Sequence, residues 1–318
     1  MSGVQDTSGS GELIFLEPVF LAKVWGGTRL HDLYGYTLPA DEKIGECLAI
    51  SARPEGDCVV SRGRFEGVRL SDLWADHRDL FGGAQTGTFP LQVKILDAQQ
   101  DLSVQVHPDE AYALRHGGGG KNECWYVLRA SDTGRVVIGH RAETVDEFAR
   151  LAGQGRWDGL LRSVEMRRGD TFFIPAGTVH AILAGSLIYE VQQSSDTTYR
   201  LFDYDRLDAG AKRQLRVDAA LEVVVAPSRP VAASPVVTEF EGAARTVLAG
   251  TDFFTLSRWD VDRTATIPVD APFLLVSALE GSGSVNGAEV VAGDHFIVPS
   301  GAGAMHVTGP LALLVTAP

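Results

Sequence analysis

Short apolar runs alternate with glycine- and proline-bearing turns along most of the chain. Such runs include LIFLEPVF, ECLAIS, PLQVKIL, LSVQVHP, CWYVLRA and RVVIGH. Runs of this length bounded by turn residues are typical of β-strands, and their density predicts a β-sandwich or barrel. We therefore expect a mainly β protein.

Two stretches depart from this pattern and have the residue spacing of helices. In the range 144–161, apolar residues such as Phe148 recur among polar ones, which predicts a short helical insert. A second helix is predicted over 70–80, where Ser71 or Asp72 is placed to cap its start.

A change of composition divides the chain. The stretch 225–235, VAPSRPVAASP, is rich in proline, alanine and serine and has no periodic apolar face, so it predicts an interdomain linker. We expect a first domain over 11–224, after a polar and flexible N-terminus at 1–10. A smaller all-β domain should follow over 236–318.

The two halves share a sequence pattern. The block GDTFFIPAG at 169–177 is mirrored by GDHFIVPSG at 293–301. A Gly-Asp turn, an aromatic-rich strand and a Pro-x-Gly turn in succession resemble the sequence of cupin barrels. This resemblance implies two cupin-like jelly rolls, with the helical insert in the first.

Charge and cysteine content limit the partners and the compartment. The formal charge is -13, from 28 basic and 41 acidic residues, which argues against nucleic acid or an anionic membrane as a partner. The three cysteines (Cys47, Cys58 and Cys124) form no CxxC pair, which favours a reducing cytosol. With no secretory signal and no long apolar run, we expect a cytoplasmic protein; monomer and homodimer both stay open.

One set of residues predicts a metal site in the first half. Gln105 and His107 lie in LSVQVHPDE, where strand alternation directs both side chains to one face. Glu123 begins an apolar strand in KNECWYVL, and His180 follows a tight turn in PAGTVHA. Singly, each is more often a packed or surface residue than a ligand. Together they suit a catalytic zinc, although manganese or iron also fits these ligands.

The second half lacks this set. It has no Q-x-H element, and FLLVSALEG offers no carboxylate at the position that matches Glu123. We expect no metal in the second domain and a structural role for it.

At these residues the chain closely resembles the type I mannose-6-phosphate isomerases, in their short bacterial, bacillus-type form. The likeness runs from about Pro18 to the end and covers KVWGG, GECLAIS, LSVQVHPDE, GKNECWYVL and the long block at 169–206. It implies interconversion of mannose 6-phosphate and fructose 6-phosphate, with one zinc ion per chain. The zinc ligands that it implies are Gln105, His107, Glu123 and His180.

An aldose–ketose isomerase moves a proton between two adjacent carbons through an enediol, so it needs a Lewis acid and a base. Glu190 in IYEVQQSSD is one candidate base, because burial in a strand would raise the pKa of its carboxyl. A structural pair with an arginine is the other interpretation of Glu190. Lys121 is the alternative base, and the sequence leaves the choice open.

Further residues are assigned to the substrate. The resemblance matches Arg200 to the family's active-site arginine, and a guanidinium is well suited to an oxyanion or a phosphate. It also places Lys23 and Trp25 at the rim of the pocket. Ser103 shares the face of the predicted ligands on its strand and can donate to phosphate, while Asp196 is expected to orient Arg200.

Two other functions fit the same residues. Another metal-dependent cupin enzyme could act on a different phosphorylated sugar, since one barrel hosts many chemistries. A non-catalytic, sugar-sensing cupin would keep the fold and lose the metal. Metal content and turnover discriminate between these possibilities.

Overall fold

The structure, a computed structural model, describes residues 11–39, 42–83, 87–228 and 235–318. The predicted flexible N-terminus at 1–10 lies outside these residues. Of the predicted linker, only 225–228 and 235 are described, so the domain boundaries stay a prediction.

The first half of the chain is built mostly from short strands. They are β1 (Ile14–Glu17), β2 (Val19–Gly27), β3 (Ile44–Ile50), β4 (Ala52–Arg53), β5 (Gly56–Asp57), β6 (Val59–Arg62), β7 (Leu91–Asp97), β8 (Val104–Val106), β9 (Glu123–Arg129), β10 (Arg135–His140), β11 (Leu161–Glu165), β12 (Thr171–Ile174), β13 (His180–Ala181), β14 (Leu187–Gln193), β15 (Tyr199–Phe202), β16 (Leu207–Asp208) and β17 (Ala211–Lys212).

The helices are short and lie within this first half. They are α1 (Arg29–Tyr34), α2 (Leu70–Asp76), α3 (Glu110–Arg115), α4 (Val145–Gly153), α5 (Trp157–Leu160) and α6 (Val217–Val223), with a 3-10 helix at Arg78–Phe81. Within the described chain, every helix is too short or too polar to cross a bilayer.

The second half is all β, as the sequence predicts. Its strands are β18 (Val236–Phe240), β19 (Ala243–Gly250), β20 (Thr255–Val261), β21 (Thr264–Ile267), β22 (Leu274–Val285), β23 (Ala288–Val291), β24 (His295–Val298), β25 (Met305–Thr308) and β26 (Leu311–Ala317).

Two antiparallel sheets of the first half enclose an apolar core. One has the strand order β12-β9-β14-β7-β3-β2 and the other β11-β10-β13-β8-β15. Trp25, Leu96 and Trp125 of the six-stranded sheet share a buried cluster with Ile138 of the five-stranded sheet. The two sheets therefore pack face to face.

Strand β14 shows how the six-stranded sheet is buried on both faces. Its side chains point alternately to opposite sides, so Ile188 and Glu190 share one face and Tyr189 the other. Ile188 lies in the core between the two first-half sheets, whereas Tyr189 packs in a cluster that includes Leu275 of the second half. Full burial of one such leucine contributes about 1.5–3 kcal/mol.

The N-terminal strand crosses between the halves. Strand β1 pairs with β24, and Phe15 lies opposite Phe296. Strand β6 pairs with β1 in turn, so the large sheet has the order β18-β19-β20-β26-β22-β24-β1-β6. Residues 14–17 and 59–62 of the predicted first domain thus extend the sheet of the second half.

The predicted helical insert is confirmed, since α4 and α5 lie within 144–161 and the Thr144 side chain caps α4. The prediction for 70–80 is wrong in detail. The helix ends at Asp76, a 3-10 turn follows, and Arg69 occupies the N-cap position. Ser71 does not cap because its hydroxyl donates to Asp57, and Asp72 lies in the first turn.

Candidate metal centre and surrounding cavity

Three buried side chains converge between the sheets of the first half. His107 directly follows β8, Glu123 begins β9 and His180 begins β13. Their potential ligand atoms lie within 4.8 Å of one another. Nε2 of His107 is 3.2 Å from Oε1 of Glu123, and Nε2 of His180 is 3.7 Å from Oε2. These distances suit joint coordination of one metal ion.

The two imidazoles are oriented as metal ligands usually are. Nδ1 of His107 donates to the carbonyl of Thr197 at 2.8 Å, and Nδ1 of His180 donates to that of Thr178 at 2.9 Å. Each Nε2 therefore keeps its lone pair toward Glu123. Burial lowers the pKa of His107 to about 3 and also lowers the pKa of His180, so both rings are neutral at pH 7.

Glu123 carries the negative charge of the cluster. Burial opposes its ionisation, but the nearby Lys121 ammonium outweighs burial and holds the pKa of Glu123 well below its usual range. Lys121 Nζ lies 2.6 Å from Oε1. Within the described chain, neither carboxylate oxygen receives a well-aligned hydrogen bond, and both are buried. A divalent cation between these oxygens and the imidazoles would satisfy them.

Gln105 reaches the same cluster, as strand alternation predicts. Its side-chain nitrogen is 3.2 Å from Nε2 of His180, and its oxygen accepts a hydrogen bond from Ser103 Oγ at 3.2 Å. Rotating the amide by 180° would place the oxygen beside His180 and the nitrogen beside Ser103. Gln105 can therefore offer an oxygen to a metal ion.

A cavity of about 100 Å³ opens beside this cluster. Its wall contains eight of the site residues predicted from the sequence, which are Lys23, Trp25, Ser103, Gln105, Lys121, His180, Glu190 and Arg200. It also contains eight residues that were not predicted, which are Glu46, Lys94, Leu96, Leu102, Trp125, Ile182, Thr198 and Arg213.

Glu190 is the acid of the cavity whose pKa is raised. It is 4% exposed, and Trp125 Nε1 donates to its Oε2 at 2.9 Å. Burial and the nearby Glu123 carboxylate raise the pKa of Glu190 to about 7, against the opposing effect of Lys121. The alternative of a structural pair with arginine is not what the structure shows, since the hydrogen-bond partner of Glu190 is an indole.

The second acid of the cavity is Glu46, and nearby lysines lower the pKa of its carboxyl. Burial opposes ionisation of Glu46, but Lys94, Lys23 and Lys121 outweigh it and lower the pKa of Glu46. Lys23 Nζ is 3.4 Å from Glu46 Oε1. Both Lys94 and Glu46 interrupt apolar strands, in PLQVKIL and GECLAIS. That interruption is the signal that could have identified them, because charged residues are rare inside buried strands.

Two arginines also line the cavity. Arg213 is held by Asp203, whose Oδ2 accepts from its Nε at 2.7 Å. Arg200 has a buried Nε without a hydrogen-bond acceptor in the described chain, and burial and Arg213 lower the pKa of its guanidinium. The expected pairing of Arg200 with Asp196 is wrong. The exposed Asp196 carboxylate instead lies 3.1 Å from Arg53, and Asp196 does not line this cavity.

In the second half, the histidines lie apart. Ser277 contacts the buried His295, and Thr266 contacts the exposed His306. Of the described residues, the group that could hold a metal ion is the one formed by His107, Glu123 and His180.

Facing β-sheets with a buried cluster of two histidines and one glutamate that could hold a metal ion are typical of a metal-binding protein of the cupin type. Comparison with known proteins identifies the family. The model for the catalytic domain of type I phosphomannose isomerase matches residues 13–122, and that for the mannose-6-phosphate isomerase cupin domain matches 244–318.

Relatives that match nearly the whole chain have names from the same family. A probable mannose-6-phosphate isomerase of Bacillus subtilis is 43% identical, over 96% of this chain and 99% of the relative. The mannose-6-phosphate isomerase of Streptococcus mutans is also 43% identical, over 96% and 98%. A crystal structure of the Bacillus subtilis mannose 6-phosphate isomerase superposes with a TM-score of 0.93 at 38% identity, covering 96% of this chain and 99% of that one.

The chain belongs to the type I mannose-6-phosphate isomerase family. The predicted resemblance, the cupin fold and the assignment as an isomerase are thereby confirmed.

Proposed function

We propose that the chain interconverts mannose 6-phosphate and fructose 6-phosphate through an enediol, with one zinc ion held by Gln105, His107, Glu123 and His180. The observation that carries this proposal is the buried histidine and glutamate cluster beside a cationic cavity. The relatives' names support the substrate, since those of Bacillus subtilis and Streptococcus mutans are named for mannose 6-phosphate.

The ligand set favours zinc. Two neutral imidazoles, a carboxylate and an amide oxygen are nitrogen and oxygen donors of the kind that catalytic zinc sites use. When bound, the ion would polarise the substrate carbonyl and acidify the adjacent C–H bond. Manganese and iron are the competitors that the same ligands admit.

The charge of the cavity supports an anionic substrate. Its lining contains the five cations Lys23, Lys94, Lys121, Arg200 and Arg213 against the two acids Glu46 and Glu190. The chain as a whole has a formal charge of -13. A local excess of cations on an acidic protein is suited to a phosphorylated sugar.

Glu190 is the better candidate for the base. With a pKa raised to about 7, its carboxylate can accept a proton from C2 of the aldose and return it to C1. Burial opposes the charge on Lys121, but Glu123 outweighs burial and raises the pKa of Lys121. Lys121 therefore holds its proton at neutral pH and is suited to stabilising negative charge on the substrate.

Two further assignments belong to the proposal. All residues of the cavity fall within the predicted catalytic domain at 11–224, which leaves a structural role to 236–318. The free thiols of Cys47, Cys58 and Cys124 are all buried, which agrees with a reducing cytoplasm.

The test is a coupled assay of fructose 6-phosphate formation, run before and after removal of metal by a chelator. We expect activity to vanish on chelation and to return with stoichiometric zinc, more fully than with manganese or iron. If the zinc-loaded protein instead turns over another phosphorylated sugar, the assignment of mannose 6-phosphate as the substrate would be wrong. A protein that binds no metal would favour the sugar-sensing alternative.

A further inference from the structure

A second cavity adjoins the first. It has a volume of about 320 Å³, against about 100 Å³ for the cavity beside the histidine and glutamate cluster, which we call the active cavity. Thr198 and Arg200 line both cavities. Its other walls are formed by the end of α3 with the glycines that follow it, and by Gln214 and Arg216. We call this second cavity the outer groove.

The outer groove contains two guanidinium groups without a carboxylate partner in the described chain. Arg216 is exposed and forms no ion pair with a described residue, and Arg200 has its buried Nε free of any described acceptor. The acid of the groove, Asp196, is already paired with Arg53. The groove therefore has uncompensated positive charge.

Two other cations that line the first cavity are engaged. Lys121 lies 2.6 Å from Glu123, and Arg213 is held by Asp203. A phosphate that displaced either would leave a buried carboxylate without its partner, which is costly. A phosphate between Arg200 and Arg216 breaks no existing ion pair.

The main chains of these two arginines are joined by a hydrogen bond. The amide N–H of Arg216 donates to the carbonyl of Arg200 at 2.8 Å. Both residues also line the outer groove, and a guanidinium presents a planar fork of N–H donors, a geometry that matches the oxygens of a phosphate monoester.

We propose that the outer groove is an anion subsite, in which Arg216 and Arg200 bind the phosphate of the substrate while its reacting carbons occupy the active cavity. This inference rests on the proposed function for the identity of the substrate. The shared residues Thr198 and Arg200 form the boundary that the substrate spans. The groove supplies space that the smaller active cavity lacks.

The test compares Arg216→Gln with Arg115→Gln in zinc-loaded protein. Arg115 is also exposed and lies at the end of α3, but it does not line the groove. We expect Arg216→Gln to raise KM for mannose 6-phosphate about tenfold or more, a larger factor than any change in kcat. The preference for mannose 6-phosphate over free mannose, as a ratio of kcat/KM, should shrink by a similar factor. Arg115→Gln should keep the wild-type KM.

A direct binding measurement separates this inference from the proposed function. Inorganic phosphate is titrated calorimetrically into the wild type and both variants. We expect affinity to fall only in Arg216→Gln, even if mannose 6-phosphate is not the substrate. Equal phosphate affinity in all three proteins, or an unchanged KM, would overturn the outer groove as the anion subsite and place the phosphate inside the active cavity.

Discussion

Trp125 and Glu190 lie directly opposite each other on neighbouring strands, and the indole N–H donates to the carboxylate at 2.9 Å. The pairing of β9 with β14 thus sets the position of the proposed base. Glu123 begins the same strand that carries Trp125, so one strand supplies both a proposed metal ligand and the residue that orients the base.

Replacing Trp125 with phenylalanine should shift the pH dependence of the reaction. The indole hydrogen bond lowers the pKa of Glu190, which burial and Glu123 raise to about 7. Without it the pKa rises, so the carboxylate is protonated at a higher pH. We expect the acidic limb of the kcat/KM profile to move up by roughly half to one pH unit.

Trp125→Phe and the wild type are compared at equal zinc content. A bound cation offsets part of the rise that Glu123 causes in the pKa of Glu190, and it does so in both proteins. Trp157→Phe is the control, since Trp157 stacks on Phe202 away from the cavity. An acidic limb that stays in place in Trp125→Phe would show that Glu190 is not the group being titrated.

Removing the base itself discriminates Glu190 from Lys121. Glu190→Gln should lower kcat by about 10²–10⁴ while the protein keeps its zinc, because the amide cannot accept the proton. Glu239→Gln, on the exposed strand β18, makes the same chemical change at the surface. Retained turnover in Glu190→Gln, together with its loss in Lys121→Gln, would assign the base to Lys121.

Local patterns predicted much of the fold. Short apolar runs bounded by turn residues located many of the strands, and the spacing around Phe148 located the insert that became α4 and α5. The pairing of β1 with β24 could not be predicted from these patterns. Phe15 and Phe296 meet through tertiary packing across nearly the whole chain, and no local signal encodes that partner.

Like the fold, the site has some features that local sequence patterns predict and others that they do not. Gln105 and His107 converge because alternation places them on one face, which the sequence displays. The bond from Trp125 to Glu190 depends on the register between β9 and β14, which single-strand patterns do not contain. The mistaken role of Asp196 has the same cause, since its partner Arg53 comes from a distant part of the chain.

Gln105, the fourth proposed metal ligand, can be tested separately from His107, Glu123 and His180. Gln105→Leu removes the amide oxygen, so we expect zinc affinity to fall by about tenfold or more while the histidine and glutamate cluster still binds. Competition with a chromogenic chelator measures the affinity. Gln99→Leu, at an exposed position, is the control.

Thermal unfolding supplies an independent readout, since zinc that binds only the folded state raises Tm. The gain in Tm on adding zinc should be smaller in Gln105→Leu than in the control. An equal gain and an equal affinity in the two variants would exclude Gln105 as a ligand.

A buried histidine in the second half gives a prediction independent of the metal. Ser277 Oγ and the Tyr36 hydroxyl lie 2.8 Å and 2.9 Å from the two ring nitrogens of His295. The Tyr36 hydroxyl donates its proton to the carbonyl of Gly293 at 2.7 Å. The imidazole therefore donates through Nε2 to Tyr36, and a neutral ring accepts from the Ser277 hydroxyl at Nδ1.

Burial lowers the pKa of His295 to about 3, whereas an unfolded histidine titrates near ~6.5. Between these values the unfolded chain binds one more proton than the folded protein. The contribution of His295 to stability is therefore complete above pH ~6.5 and decreases by roughly 1.4 kcal/mol for each pH unit below it. His295→Gln removes this titration. We expect the loss of unfolding free energy between pH 6.5 and 4.5 to be about 2 kcal/mol smaller in the variant.

Urea unfolding in the presence of chelator measures both proteins without interference from metal release. The variant should also be less stable than the wild type at pH 7, by about 1–3 kcal/mol, because it disrupts a buried hydrogen-bond network. The decisive quantity is the slope of the unfolding free energy against pH, since the lost hydrogen bonds lower stability equally at each pH. Parallel slopes for the two proteins would mean that His295 is not held neutral by burial in the folded state.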